Sequence, residues 1–360
     1  MTGISLIGRI DVNAGLLRER MTVLGEQIST GRKGNTYATV GTDGSIGKDT
    51  PKAIDLRAEL GRREAYQTTI GQTLSKISVT QDVLTRIGAI AEKFNASAAK
   101  LMGAAQAEEI QVQAAQAKSA MVEVASLLNE QFNGEYLFGG SDTANPPIPN
   151  PGSIATSGMG LAIINQVASL NGSNASAVLA NTKTLAQSNA AGTTPFSAFL
   201  SDPAGGLSEP RRNIIGNDSE RVEYGVPANR NAGVTSLGET TGSWARDLLR
   251  GLASIAGLTP DKTQLSGDYT TFITTVRQGL DTAVKTLALE RGALGTTEKR
   301  LQEISTRQES VTTTLTLQLS NLEEVDMAKT ISSFQATQSQ LEASYRAMSI
   351  AQQMSLTRFL

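Results

Sequence analysis

Apolar residues recur at alternating three- and four-residue spacing over long stretches near both ends of the chain, and this rhythm stops in the middle. Leu17, Met21, Leu24 and Ile28 mark one face of a first helix over residues 10–29, the spacing of an amphipathic stripe. Gly31 and Gly34 end it, and 34–48 has too many glycines and too little apolar pattern for an element. A second helix is predicted over 51–102, with Pro51 suited to a first turn. Ile70, Leu74, Ile77, Leu84, Ile87, Ala91, Phe94, Ala98 and Leu101 hold the heptad rhythm there. After Gly103 the rhythm resumes with Ile110, Ala114, Ala117, Met121, Val124 and Leu128, which predicts a turn between two antiparallel helices.

The proline distribution sharpens the division. There is none over 52–145 or over 261–360. Asn133-Gly134 is a turn dipeptide, and Tyr136, Leu137 and Phe138 form a short apolar run closed by two glycines. Residues 152–205 are rich in Ser, Ala, Asn, Thr and Gly, and their low apolar density assigns no element. Asn213-Ile214-Ile215 and Arg221-Val222-Glu223-Tyr224 around Gly216-Asn217-Asp218 predict a hairpin. A short helix starts near Trp244 and ends at Gly257. From about 269 to 320 the apolar phase predicts a single helix, with Leu280 to Leu322 alone spanning roughly 60 Å at the α-helical rise. A last segment carries Val325, Ile331, Phe334, Leu341, Tyr345 and Met348, with few charges and many Gln and Ser.

These stripes must be covered, since each buried Leu or Ile contributes about 1.5–3 kcal/mol. The expected fold is mainly α. Both chain ends build a long antiparallel helical bundle or coiled coil, and a smaller β-containing insert lies between them. Three divisions are expected: 1–45 with 320–360, 46–140 with 241–319, and the insert 141–240. One short and one longer terminal helix are too thin a pair to shield both stripes. The surplus would be covered by other copies, as rings or helical filaments. The expected assembly residues are Leu17, Met21, Leu24, Ile28, Ile331, Phe334, Leu341, Tyr345, Met348, Leu356 and Phe359.

Composition narrows the function. The 360 residues carry a formal charge of -2, so there is no basic field for nucleic acid. No cysteine and no histidine occur, which excludes thiol and Ser-His-Asp chemistry and His-based metal sites. No cofactor, metal or catalytic residue is expected. No apolar run reaches the length of a membrane span, and residues 1–10 lack the basic region of a cleaved signal. Gly47-Lys48 ends like a phosphate-binding loop, but Thr42 and Asp49 stand where that motif needs Gly and Ser or Thr. Asp202, Asp218, Glu220 and Glu223 are the middle-region acids. Nothing spaces them as an acid/base pair, so they are expected to be solvated turn acids.

Four stretches carry a resemblance. Residues 24–33 read LGEQISTGRK, 128–140 read LNEQFNGEYLFGG with Pro146-Pro147 following, 222–229 read VEYGVPAN, and 322–328 read LEEVDMA before Gln338 to Tyr345 and the closing 356–360. In this order they resemble the bacterial flagellin superfamily, and within it the hook–filament junction branch. The loop over 35–51 and the Thr357-Arg358 ending depart from that pattern. The resemblance implies a structural flagellar subunit, not an enzyme, exported by the flagellar type III apparatus without a cleaved signal. Its implied partners are further copies of itself, a neighbouring hook-associated protein, flagellin, and an export chaperone on the C-terminal helix. A filament flagellin, or an adhesin-like surface module on the same scaffold, is the alternative.

Overall fold

The computed structural model describes residues 2–34, 50–103 and 106–356. The glycine-rich stretch holding Gly47-Lys48 falls outside these, as does Phe359. The elements run α1 (Thr2–Thr30), α2 (Thr50–Leu101), α3 (Ala107–Leu128), β1 (Gln131–Phe132), β2 (Glu135–Tyr136), α4 (Gly158–Ala168), α5 (Ala175–Gln187), α6 (Ala198–Ser201), β3 (Asn213–Asn217), β4 (Glu220–Glu223), α7 (Trp244–Ala256), α8 (Ser266–Glu323) and α9 (Met327–Leu356). The mainly helical class, with long helices from both ends packed together and a small two-stranded sheet in the middle, is as the sequence predicts. By contacts, the chain divides into two compact units: Met1–Ala65 with Arg307–Leu360, and Tyr66–Thr306.

The 66–306 unit holds the core. Its buried cluster runs from Ile70 to Ile304 and takes in the stripe of α2, the stripe of α3 and Leu280, Leu287, Leu294 and Leu301 of α8. α2 and α8 run antiparallel here: Gln81 Nε2 donates to Glu298 at 3.0 Å, and a methyl group at Gly88 would lie 3.6 Å from Leu287. α7 is buried along its whole length and packs against α3, α4 and α5. Gly251 lets it approach α8, since any Cβ there would overlap Leu280 at 2.4 Å.

Two hairpins form, the first around the Asn133-Gly134 turn dipeptide and the second the one predicted over 213–224. Asn133 and Gly134 have φ of 51° and 79°, the paired positive angles of a type I′ turn that matches strand twist. They join β1 to β2 in the register Phe132↔Glu135. In the second hairpin Ile214 faces Val222, and the register shifts between Ile215 and Asn217. Gly216 therefore lies at the shift, and the turn moves to Asp218-Ser219, just beyond the predicted centre at Asn217.

The polar stretch 152–205 differs from expectation: it folds as α4, α5 and α6. Met159, Ile163 and Val167 of α4, and Val178, Leu179 and Ala186 of α5, supply enough apolar surface to pack against α7. Tertiary burial outweighs the weak helix propensity of Ser, Asn and Thr here.

Charge is also buried in this unit. Arg246 donates to the carbonyls of Ala186 (2.7 Å), Asn229 (3.2 Å) and Ser188 (3.3 Å) and to Asn189 Oδ1 at 2.6 Å. Its guanidinium lies 4.9 Å from the Phe196 ring centre. Burial holds its pKa down at about 10, which leaves it charged at neutral pH. Arg250 pairs with Glu239 at 2.6 Å. Glu290 of α8 accepts from the Ala232 amide at 2.6 Å and the Gly233 amide at 3.3 Å, and burial pushes its carboxyl above the usual range.

Candidate assembly site

In the other unit the seam between α1 and α9 sets half-buried large apolar residues beside small and polar ones. On α1, Ala14 is buried and Leu17, Met21, Leu24, Gly25 and Ile28 are half-buried. On α9 the inward positions are Thr330, Phe334, Thr337, Leu341, Ser344 and Met348, spaced four, three, four, three and four. The buried threonines satisfy their hydroxyls locally: Thr330 Oγ1 donates to the Asp326 carbonyl and Thr337 Oγ1 to the Ser333 carbonyl, both at 2.8 Å. Phe334 lies over Gly25 at 3.8 Å from where a Cβ would sit.

Little is buried where the side chains of this unit are described. Over residues 11–34, 50–65 and 307–350 only Ala14, Ala53, Leu56, Gln308, Glu323, Thr330 and Thr337 are buried, and Leu56 is the one large apolar side chain in that set. Large apolar side chains stand in solvent instead. On α1, Val12 is 64% and Leu16 59% exposed, with Val23 also exposed. Leu317 of α8 is 61% exposed. On α9, Ile350 is 58% exposed, and Met327, Ile331 and Tyr345 are exposed too.

Of the residues expected for assembly, Leu17, Met21, Leu24, Ile28, Phe334, Leu341 and Met348 thus lie on the intrachain seam, half-buried. Ile331 and Tyr345 face outward. Tyr345 is engaged by Arg18, whose guanidinium carbon is 5.4 Å from the ring centre and whose Nε donates to the tyrosine oxygen. Leu356 closes α9, and its side chain, like Phe359, lies outside the described residues. Val12, Leu16, Val23 and Ile350, exposed apolar side chains, stand outside the expected set. The signal was present as a second apolar stripe at i, i+4 and i+11 on α1, hidden behind the stronger first one.

A second feature joins the segments that follow α1 and α8. Gly31, at φ +70°, turns the chain out of α1. Arg32 then bridges Glu324 in antiparallel fashion. The Lys33 amide donates to the Glu323 carbonyl at 2.7 Å and the Val325 amide to the Gly31 carbonyl at 3.0 Å. Lys33 Nζ reaches the Asn321 carbonyl at 2.6 Å. From α2, Arg57 grips Glu323 with both nitrogens, at 2.9 and 2.7 Å, the strong fork geometry of arginine on carboxylate. Asp326 starts α9 by accepting from the Lys329 amide at 3.1 Å. The structure therefore brings together two of the stretches singled out in the sequence, 24–33 and 322–328.

The middle-region acids are engaged structurally. Asp202 accepts from the Ala204 amide at 2.9 Å, Asp218 from Tyr66 at 2.8 Å, and Glu220 pairs with Arg300 at 2.8 Å. Glu223 lies exposed at the end of β4. Among the described residues no group of three or more His, Cys, Asp and Glu side chains is placed to hold a metal ion, and no helix is long and apolar enough to cross a membrane.

This is the arrangement of a helical structural subunit whose first and last helices pair through a thin seam and keep apolar side chains outside. Residues 278–360, covering the later part of α8 and all of α9, match the family described as the bacterial flagellin C-terminal helical region. Comparison with curated proteins gives no significant match. The family match supports the bacterial flagellin superfamily and with it a structural, non-enzymatic subunit of the flagellum outside the cell. Proteins of that family polymerise into flagellar assemblies, which supports a homo-oligomer.

Proposed function

We propose that this chain is the flagellar subunit that joins hook to filament, polymerising through α1 and α9. The observation that carries the reading is the scarcity of large buried side chains over residues 11–34, 50–65 and 307–350, set beside the exposed Val12, Leu16, Leu317, Ile331 and Ile350. Leaving such side chains in water costs about 1.5–3 kcal/mol each relative to burial, and packing against neighbouring copies recovers it. Ring closure or a helical filament follows from how successive copies are rotated. In this reading 1–45 and 320–360 form the assembly domain, 46–140 and 241–319 the supporting bundle, and 141–240 a surface domain. A hook-associated protein and flagellin are the neighbours, and an export chaperone covers the C-terminal helix before type III export. The junction branch rather than a filament flagellin is supported by the LNEQFNGEYLFGG stretch at 128–140 and its Asn133-Gly134 turn. The flagellin family match at 278–360 fits a filament flagellin, the second reading, as well as it fits the junction subunit.

Electron microscopy of the purified protein separates the two. Long filaments from the chain alone support the flagellin. Failure to polymerise alone, together with a deletion strain that sheds its filaments, supports the junction subunit. The double variant Leu16→Asp with Ile331→Asp changes two exposed positions and leaves the seam intact. Introduced into the deletion strain, it is expected to fail to assemble into the flagellum and to leave filaments shed, while the circular dichroism of the purified monomer is unchanged. Assembly at the wild-type level would overturn the proposal.

A further inference from the structure

The chain contains two Asn-Gly steps, Asn133-Gly134 and Asn171-Gly172. Such a step is chemically special because the glycine amide meets no side chain of its own when it approaches the preceding carboxamide. The fold treats the two differently. Asn133 and Gly134 are held at φ 51° and 79° by the strand pairs on either side. Asn171-Gly172 lies in the exposed loop between α4 and α5, and nothing in the assembly reading uses it.

At that loop the Asn171 side chain is poised. Its Oδ1 accepts from the Ser173 amide and from Ser173 Oγ, both at 3.1 Å. These two donors draw electron density from Cγ and would stabilise the negative charge that develops on Oδ1 under attack. Among the described residues, Gly172 N–H donates to no protein acceptor, so the nucleophile is not held elsewhere. The surroundings fix the loop. The Asn171 amide donates to Asn174 Oδ1 at 3.0 Å, and Asn174 Nδ2 donates to the Ser169 carbonyl at 2.9 Å.

We propose that Asn171 is a site of spontaneous covalent modification in the folded protein, an intramolecular deamidation favoured by the Ser173 donors. Gly172 N, losing its proton to solvent base, bonds to Asn171 Cγ. The Cγ–Nδ2 bond breaks and ammonia leaves, giving a five-membered succinimide. Water then opens the ring at Cγ, giving aspartate, or at the main-chain carbonyl, giving isoaspartate. The net change is gain of one water and loss of one ammonia, with no oxidant or reductant.

The product has a structural consequence. The amides of Asn174 and Ala175 donate to Asp268 Oδ2 at 2.9 and 3.1 Å, tying the start of α5 to α8. A new carboxylate at 171 competes for the same electropositive helix start, and an isoaspartate adds a methylene to the backbone beside it. The insert surface thereby gains negative charge as the protein ages.

The test incubates the intact protein in mildly alkaline buffer, folded and in urea, and follows both steps by peptide mass spectrometry with electron-transfer fragmentation to distinguish isoaspartate. In urea the two Asn-Gly steps convert at similar rates. In the folded protein 171 is expected to outpace 133 by about tenfold or more, since Asn133 and Gly134 can reach the ring-closing geometry only by loosening the strand pairs on either side, and tenfold needs only a small added barrier. The folded rate at 171 is expected to be at least its rate in urea. Asn171→Gln is expected to remove the main acidic species on ion exchange. Equal folded rates at the two steps, a folded rate at 171 below that in urea, or persistence of the acidic species in Asn171→Gln would each overturn the proposal.

Discussion

Glu290 has been taken out of water and given two backbone amides in exchange. Burial outweighs those donors and raises its carboxyl above the usual range. The consequence for stability has a definite sign. The folded state holds this proton more tightly than the unfolded one, so the contribution of Glu290 is greatest in acid and is lost as pH rises through its raised pKa. Glu290→Gln keeps one acceptor for the Ala232 amide and removes the buried charge. Its melting temperature at neutral pH is expected to equal or exceed that of the wild type, with a flatter pH dependence between mild acid and neutrality. A large loss of stability at neutral pH would show that the ionised carboxylate is needed. Arg246 differs in kind: it stays charged, and its stability rests on the carbonyls and the Asn189 oxygen that receive its donors. Neither residue was legible in the sequence as buried, because both occur in stretches where a charge on the outer face of a helix reads the same way.

At the scale of elements, the long helices were legible and the joints were not. The stripes of α2 and α8 are made of Leu and Ile, and periodicity alone placed their ends within a few residues. The inner stripe of α9 was partly hidden because Thr330, Thr337 and Ser344 occupy core positions that a hydrophobicity pattern counts as polar. The end of α8 near 320 was legible, but the joint that holds it there was not. It depends on main-chain pairing between Arg32 and Glu324, residues nearly three hundred positions apart, and such pairing leaves no periodic mark. Arg57 and Glu323 brace this joint. Because Arg57 is substantially exposed, the carboxylate-to-amide change Glu323→Gln is expected to cost only about 1 kcal/mol. Its effect should be local. Hydrogen exchange should quicken at the Lys33 and Val325 amides, with the amides of α7 unchanged. Uniform quickening throughout the chain would argue against a local joint.

Over the whole molecule, the large apolar side chains are divided unevenly. The cluster from Ile70 to Ile304 lies wholly within one unit, and the other is held by threonines, a fork of arginine on glutamate and a half-covered stripe. The sequence foreshadowed this division in the lengths of the terminal helices, too thin a pair to shield both stripes, but not in their apolar spacing, which is equally regular in both units. A seam and a buried core share one rhythm; they differ in what faces them, which lies in other parts of the chain.

The sparse burial in the Met1–Ala65 and Arg307–Leu360 unit also has a calorimetric consequence. Heat capacity rises on unfolding because apolar surface meets water, by about 12–15 cal/mol/K per residue for an ordinary globular chain. A unit whose Val12, Leu16 and Ile350 are already wet has little of that surface left to expose. The free monomer should therefore melt with a total heat-capacity increment close to what the Tyr66–Thr306 unit supplies by itself, which falls below that range when divided over the whole chain. A full-size increment would mean that the monomer in solution has already covered those side chains.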